Sequence, residues 1–143
     1  MTRRGLVEFL LARISEDETA ARAAFQIVDG RDVGGWYWSN AGDAVFVDDS
    51  DQAVACGPWQ QLMHQRSAHH MVRWDPERVV AECVAKRRVV ERQRGRARTG
   101  VLLHLALVYA DHPDYRDRWL PRPSRDPLVR RGWTATRRLL GRR

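Results

Sequence analysis

The hydrophobic period of this chain changes twice, and that alternation constrains its fold more than any single motif. From Gly5 to about Phe25, Leu6, Phe9, Leu10, Ile14 and Ala21 recur at helical spacing, with Glu8, Arg13, Glu16, Asp17 and Arg22 on other faces. The spacing predicts an amphipathic helix with its apolar stripe on a core. Asp29 to Gly35, rich in Gly and Asp, reads as a loop. The period then shortens to β-type runs: Trp36-Tyr37-Trp38, Ala44-Val45-Phe46-Val47 and Ala53-Val54-Ala55-Cys56, separated by short polar turn-formers. A three-stranded antiparallel meander follows from connections that short.

After Pro58 the helical period returns. Trp59, Leu62, Met63, His70 and Trp74 fall close to one face, and Asp75-Pro76-Glu77 is a helix start, with Asp as N-cap and Pro in the first turn. Val79, Val80, Cys83, Val84 and Val90 form the buried stripe of that helix, and its C-terminal half is loaded with cations where the helix dipole favours them. Val101 to Tyr109 is apolar nearly all round and reads as a central helix, with His104 as a hydrogen-bonded core residue. Pro113 to Leu120 reads as a further short turn of helix, carrying Tyr115 and Trp119 on one face. These elements predict an α+β fold: one mostly helical domain over residues 1–120 with a small three-stranded antiparallel meander. A flexible, basic, partly disordered tail over 121–143 leads to an inducible helix.

Charge is distributed unevenly. Residues 1–60 hold 5 basic groups against 10 acidic, whereas residues 61–143 hold 20 against 8. Only Lys86 among the 25 basic residues is lysine, a bias that GC-rich codons produce, so clustering carries the inference and the total does not. The clusters are residues 86–98 and the tail, and they point to something anionic, nucleic acid or an acidic protein surface. Arg87, Arg88, Arg92, Arg94, Arg96, Arg98, Arg130, Arg131, Arg137, Arg138, Arg142 and Arg143 are the candidate phosphate contacts, because guanidinium binds phosphate bidentately. The acidic segment 29–51 suits a basic protein partner, or the chain's own Arg-rich half. Trp36, Tyr37, Trp38, Phe46 and Trp59 could stack bases, but their acidic surroundings favour core packing instead.

Enzyme signatures are sparse. The serines sit in no Gly-x-Ser-x-Gly elbow, and no Gly-rich phosphate loop occurs. His64, His69, His70, His104 and His112 lack the His-Glu-x-x-His spacing of a zinc site, so neither metal nor cofactor is expected. Asp111-His112-Pro113-Asp114-Tyr115 has two readings. In one it caps the junction between two helices, because such a break needs side chains to satisfy backbone groups. In the other, a carboxylate orients an imidazole for general acid/base work, giving a small metal-assisted hydrolase or nuclease centred on Asp111, His112 and Asp114, with His70 and Tyr115 nearby. Capping is the favoured reading, and a binding protein is favoured over an enzyme.

Cys56 and Cys83 have no CxxC spacing and are expected to be free and buried in a reducing cytoplasm. No run of apolar residues is long enough for a membrane span, and no leader pattern opens the chain.

Two blocks carry a resemblance: His70-Met71-Val72-Arg73-Trp74-Asp75-Pro76-Glu77-Arg78-Val79 with Ala85-Lys86-Arg87-Arg88, and Tyr109-Ala110-Asp111-His112-Pro113-Asp114-Tyr115-Arg116 before Trp119. They resemble the signature blocks of an uncharacterised family of short actinobacterial and actinophage proteins. The resemblance covers residues 6–120 and implies that host range and a cytoplasmic setting, with no catalytic residues. The family usually has His where this chain has Trp74, so a His-x-x-x-His pair is broken here.

Overall fold

A helix of 21 residues, α1 (Arg3–Ala23), opens the chain along the predicted stripe. It buries Leu6, Val7, Phe9, Leu10, Ile14 and Ala21, and each fully buried Leu or Ile contributes about 1.5–3 kcal/mol. The structure, a computed structural model, describes residues 3–41, 43–57, 64–93 and 100–121, with side chains from Gly5 onward. Pro58, Trp59, Leu62 and Met63, the arginines Arg94, Arg96 and Arg98, and the tail from Arg122 lie outside the described residues.

The meander forms as the sequence predicts: β3 (Trp36–Ser39), β4 (Ala44–Val47) and β5 (Ala53–Cys56) pair antiparallel in that order. Trp36 pairs with Val47 and Ser39 with Ala44, while a register shift between Val45 and Phe46 interrupts the ladder to β5. The turn between β4 and β5 is held by its own side chain: the Ser50 hydroxyl donates to the Val47 carbonyl at 3.2 Å and accepts from the Gln52 N–H at 3.1 Å. Ala44, Val45 and Val47 are buried because β4 is the central strand and α2 (Gln65–Arg73) packs against β3 and β4. Ala68 is the residue α2 buries completely, which a small side chain permits at a close helix–sheet approach.

The segment that reads as a loop contains a hairpin, β1 (Gln26–Val28) and β2 (Arg31–Val33). Its turn residues Asp29 and Gly30 both have positive φ, 49° and 73°. That is the requirement of the tight turn whose twist matches flanking strands. Gly34 follows, where a Cβ would meet the Phe25 ring and force it to shift.

Helix α3 (Pro76–Gln93) begins at the predicted cap: the Arg78 N–H donates to Asp75 Oδ1 at 2.8 Å. The apolar run beyond residue 100 departs from expectation. It forms only α4 (Gly100–Ala106) and a 3-10 turn, Leu107–Tyr109, with Leu102 and Ala106 buried but Val101 and Val108 exposed. His104 is likewise exposed, its ring bonded to the Gly100 carbonyl at 2.7 Å, so it is not a core residue. Residues 113–116 are non-helical, and a second 3-10 turn, Asp117–Trp119, follows them. Both cysteines are free. Cys83 is buried as expected, but Cys56, at the end of an edge strand, is exposed.

The chain divides into two compact units, Met1–Arg13 with Arg88–Arg143, and Ile14–Arg87. Leu6, Val7, Phe9, Leu10, Val90, Leu102, Ala106 and Trp119 are the buried apolar residues of the first, and Ile14, Ala21, Val28, Ala44, Val45, Val47, Ala68 and Cys83 those of the second. Among the described residues no helix is long and apolar enough to cross a membrane.

Candidate functional site

The acidic groups of the sequence gather in the second of these units. At described positions the first unit holds 7 basic groups against 5 acidic, and the second holds 7 against 12. In the acidic unit, cations are partly consumed by its own carboxylates. Glu18 takes Arg22 at 2.9 Å from the next turn of α1 and Arg87 at 2.6 Å from α3. Hydrogen bonds from Arg87 first and Arg22 second hold the Glu18 carboxyl below its ordinary value. Arg87, a candidate phosphate contact, is therefore bound to a carboxylate of its own chain. Arg78 pairs with Glu82 at 3.2 Å and lies over the Trp74 ring at 4.4 Å.

In the basic unit the pattern differs. Arg88 and Arg92 are exposed on the last turns of α3, four residues apart and so on one face. Neither makes an ion pair among the described residues. Arg94, Arg96 and Arg98 continue this run in sequence. The remaining candidate arginines, Arg130, Arg131, Arg137, Arg138, Arg142 and Arg143, belong to the tail and lie outside the described residues.

The polar junction is organised by a residue that the periodicity assigns to a solvent face. Arg13 is 9% exposed, within the buried stripe of α1 between Phe9, Leu10 and Ile14. A buried guanidinium needs partners. Its Nη1 donates to Asp114 Oδ2 at 3.4 Å and to His112 Nδ1 at 2.8 Å, and touches Nε2 of the same ring. His112 Nδ1 also accepts the Asp114 N–H at 3.1 Å, and the Tyr115 N–H donates to the His112 carbonyl at 2.8 Å. Guanidinium and backbone N–H only donate, so the imidazole spends its acceptor capacity on holding the turn. A general base needs that lone pair for its substrate. Asp111 is exposed beside the turn, while His70 lies on α2 in the acidic unit with its ring 6.3 Å from Trp74. Among the described residues no group of three or more His, Cys, Asp or Glu converges as a metal site.

Next to the junction an open cleft of about 490 Å³ is lined by Glu8, Arg13, Asp114, Tyr115 and Arg116, together with the buried rings of Phe9 and Trp119. Phe9 is the hub of this aromatic cluster, 4.8 Å from Trp119 and 6.1 Å from Tyr115, with Tyr115 edge-on to Trp119 at 5.8 Å. Such pairs add stability beyond area burial. Burial, with Asp117 adding to it, pushes the Tyr115 hydroxyl above its ordinary value and keeps it protonated. Burial also pushes up the Cys83 thiol, with Asp17 the next cause, so it is an unreactive core group.

The sequence singles out Tyr115 and His112 but not Arg13 or the cleft. The signal that could have found Arg13 is its place in the apolar run of α1, directly before Ile14 and three residues after Leu10, where a charge interrupts the buried stripe.

Residues 3–121 match a family of unknown function, DUF6221. The chain belongs to that family. No curated protein and no solved structure matches it. The match ends at Pro121, where the described residues also end, and both signature blocks lie inside it.

Proposed function

We propose that this DUF6221 member is an accessory binding protein that contacts nucleic acid through its basic unit, in the cytoplasm of an actinobacterium or its phage. The observation that supports the binding reading best is the clustering of charge along the sequence, 5 basic against 10 acidic groups over residues 1–60 and 20 against 8 over residues 61–143. Arg88 and Arg92, exposed on the last turns of α3, have no ion-pair partner among the described residues. Arginines of this kind bind phosphate by releasing counterions, which gives affinity without sequence preference. The engaged imidazole of His112 favours a structural role for the junction, and so a binder over a hydrolase.

The test is a titration of labelled oligonucleotides with the full chain at several salt concentrations. Log affinity is expected to fall linearly with log salt, at about −0.9 per phosphate neutralised. The double variant Arg88→Ala, Arg92→Ala is expected to flatten that slope by about 0.9 for each of the two arginines that meets a phosphate, and to weaken all sequences alike. Absence of salt-sensitive binding to any nucleic acid overturns the reading and leaves the acidic segment 29–51, with Asp29, Asp32 and Asp51 exposed, as the surface to test against a basic protein.

A further inference from the structure

We propose that helix α2 is a second nucleic-acid contact, carried by the acidic unit, along which Arg66, His69, His70 and Arg73 follow a phosphate backbone; this rests on the nucleic-acid reading above. The four residues stand at i, i+3, i+4 and i+7, so they share one face of the helix, and all of them are exposed. Ala68, fully buried, is on the side that meets the sheet. Arg66 and Arg73 are about 10 Å apart along the helix axis, which corresponds to about three nucleotide steps of one strand at about 3.4 Å each. Guanidinium and imidazole N–H groups donate to phosphate oxygens, and such contacts hold a protein on a backbone without reading its sequence.

This stripe differs from the rest of the unit in being left unmatched by its carboxylates. The other arginines of the unit are each paired within it: Arg22 with Glu18 at 2.9 Å, Arg31 with Asp49 at 3.8 Å, Arg78 with Glu82 at 3.2 Å and Arg87 with Glu18 at 2.6 Å. Arg66 and Arg73 make no ion pair among the described residues, and α2 carries no Asp or Glu. Nor does the helix itself need a cation at its start. Arg66 lies in the first turn, where the positive end of the helix dipole opposes it, and His64 at the N-cap makes no side-chain bond to the helix. A phosphate bound outside the helix offsets that repulsion.

In the experiment the full chain is titrated into a fluorescein-labelled DNA duplex and into an RNA duplex of the same sequence at several salt concentrations, with urea midpoints measured alongside. On whichever of the two binds, Arg66→Gln and Arg73→Gln are each expected to flatten the slope of log affinity against log salt by about 0.9. Neither is expected to lower the midpoint, because neither side chain has an ion pair to lose. Arg31→Gln removes the same charge from a cation paired with Asp49 and is expected to leave the slope unchanged. His69→Ala with His70→Ala is expected to weaken all sequences alike, severalfold. Equal flattening by all three arginine variants would trace the effect to net charge and overturn the inference. Flattening by Arg88→Ala, Arg92→Ala with Arg66→Gln and Arg73→Gln silent also overturns it and leaves the basic-unit reading standing; no salt-sensitive binding overturns both. Polyglutamate, an anion without phosphate, probes the other class of partner: if it binds through Arg66 and Arg73 and neither nucleic acid does, the stripe is a surface for an acidic protein and the inference fails.

Discussion

Asp48 sits where folding opposes its charge. Partial burial, then repulsion from Asp75 and from Asp49, raises its carboxyl above the ordinary value of 3.8. A raised carboxyl favours the protonated native state. Stability from this group is therefore fully present below the ordinary value and is lost as pH rises from there through the folded value. Asp48→Asn removes that penalty, so the variant is expected to have a higher urea midpoint than the parent at neutral pH, with the difference shrinking on acidification. A lower midpoint at neutral pH would show that the carboxylate has a stabilising role instead. Glu18 has the opposite sign. Its carboxyl is lowered from 4.5 by Arg87 and Arg22, so its contribution is present above that value and is lost as pH falls through the folded value. Glu18→Gln is expected to lower the midpoint at neutral pH and to converge with the parent in acid; parallel curves at all pH values would mean that the ion pairs are not formed in solution.

Elements are legible in the sequence where local chemistry and period agree. Asp75 is such a case, since its carboxylate accepts the Arg78 N–H at 2.8 Å, as the Asp-Pro-Glu start predicts. Asp75→Ala is expected to cost about 0.5–2 kcal/mol in the urea unfolding free energy. An unchanged value would place the start of α3 elsewhere. The stripe of α1 and the three strands of the meander are likewise readable, because an apolar face repeats at the spacing each element needs. The β1–β2 hairpin escapes such a reading, although Asp29-Gly30 is a strong turn signal. Its strands are three residues long and mostly exposed, so too little hydrophobic pattern flanks the turn. The apolar run after Gly100 misleads for the converse reason. Composition alone gives no face, and burial of Leu102 and Ala106 leaves Val101 and Val108 in solvent. At the candidate site, His112 and Tyr115 are legible as a dense polar cluster. Arg13 is not, because its partners His112 and Asp114 lie 99 and 101 residues away in sequence.

At the scale of the whole molecule, the family match and the described residues both stop at Pro121, whereas the positive charge does not. Truncation after Leu120 removes Arg122, Arg125, Arg130, Arg131, Arg137, Arg138, Arg142 and Arg143 against Asp126. The shortened chain keeps Phe9, Tyr115 and Trp119, the aromatic cluster that closes the basic unit, and is expected to unfold cooperatively with a urea midpoint close to that of the full chain. A broad or strongly lowered transition would show that the tail is part of the fold. The same truncation separates the two sources of phosphate binding. If the tail arginines bind nucleic acid, the slope of log affinity against log salt flattens by about 0.9 for each phosphate they neutralise. If the slopes of the intact and shortened chains coincide, the tail meets no phosphate, and Arg88 and Arg92 with their sequence neighbours carry the electrostatic part of binding without it.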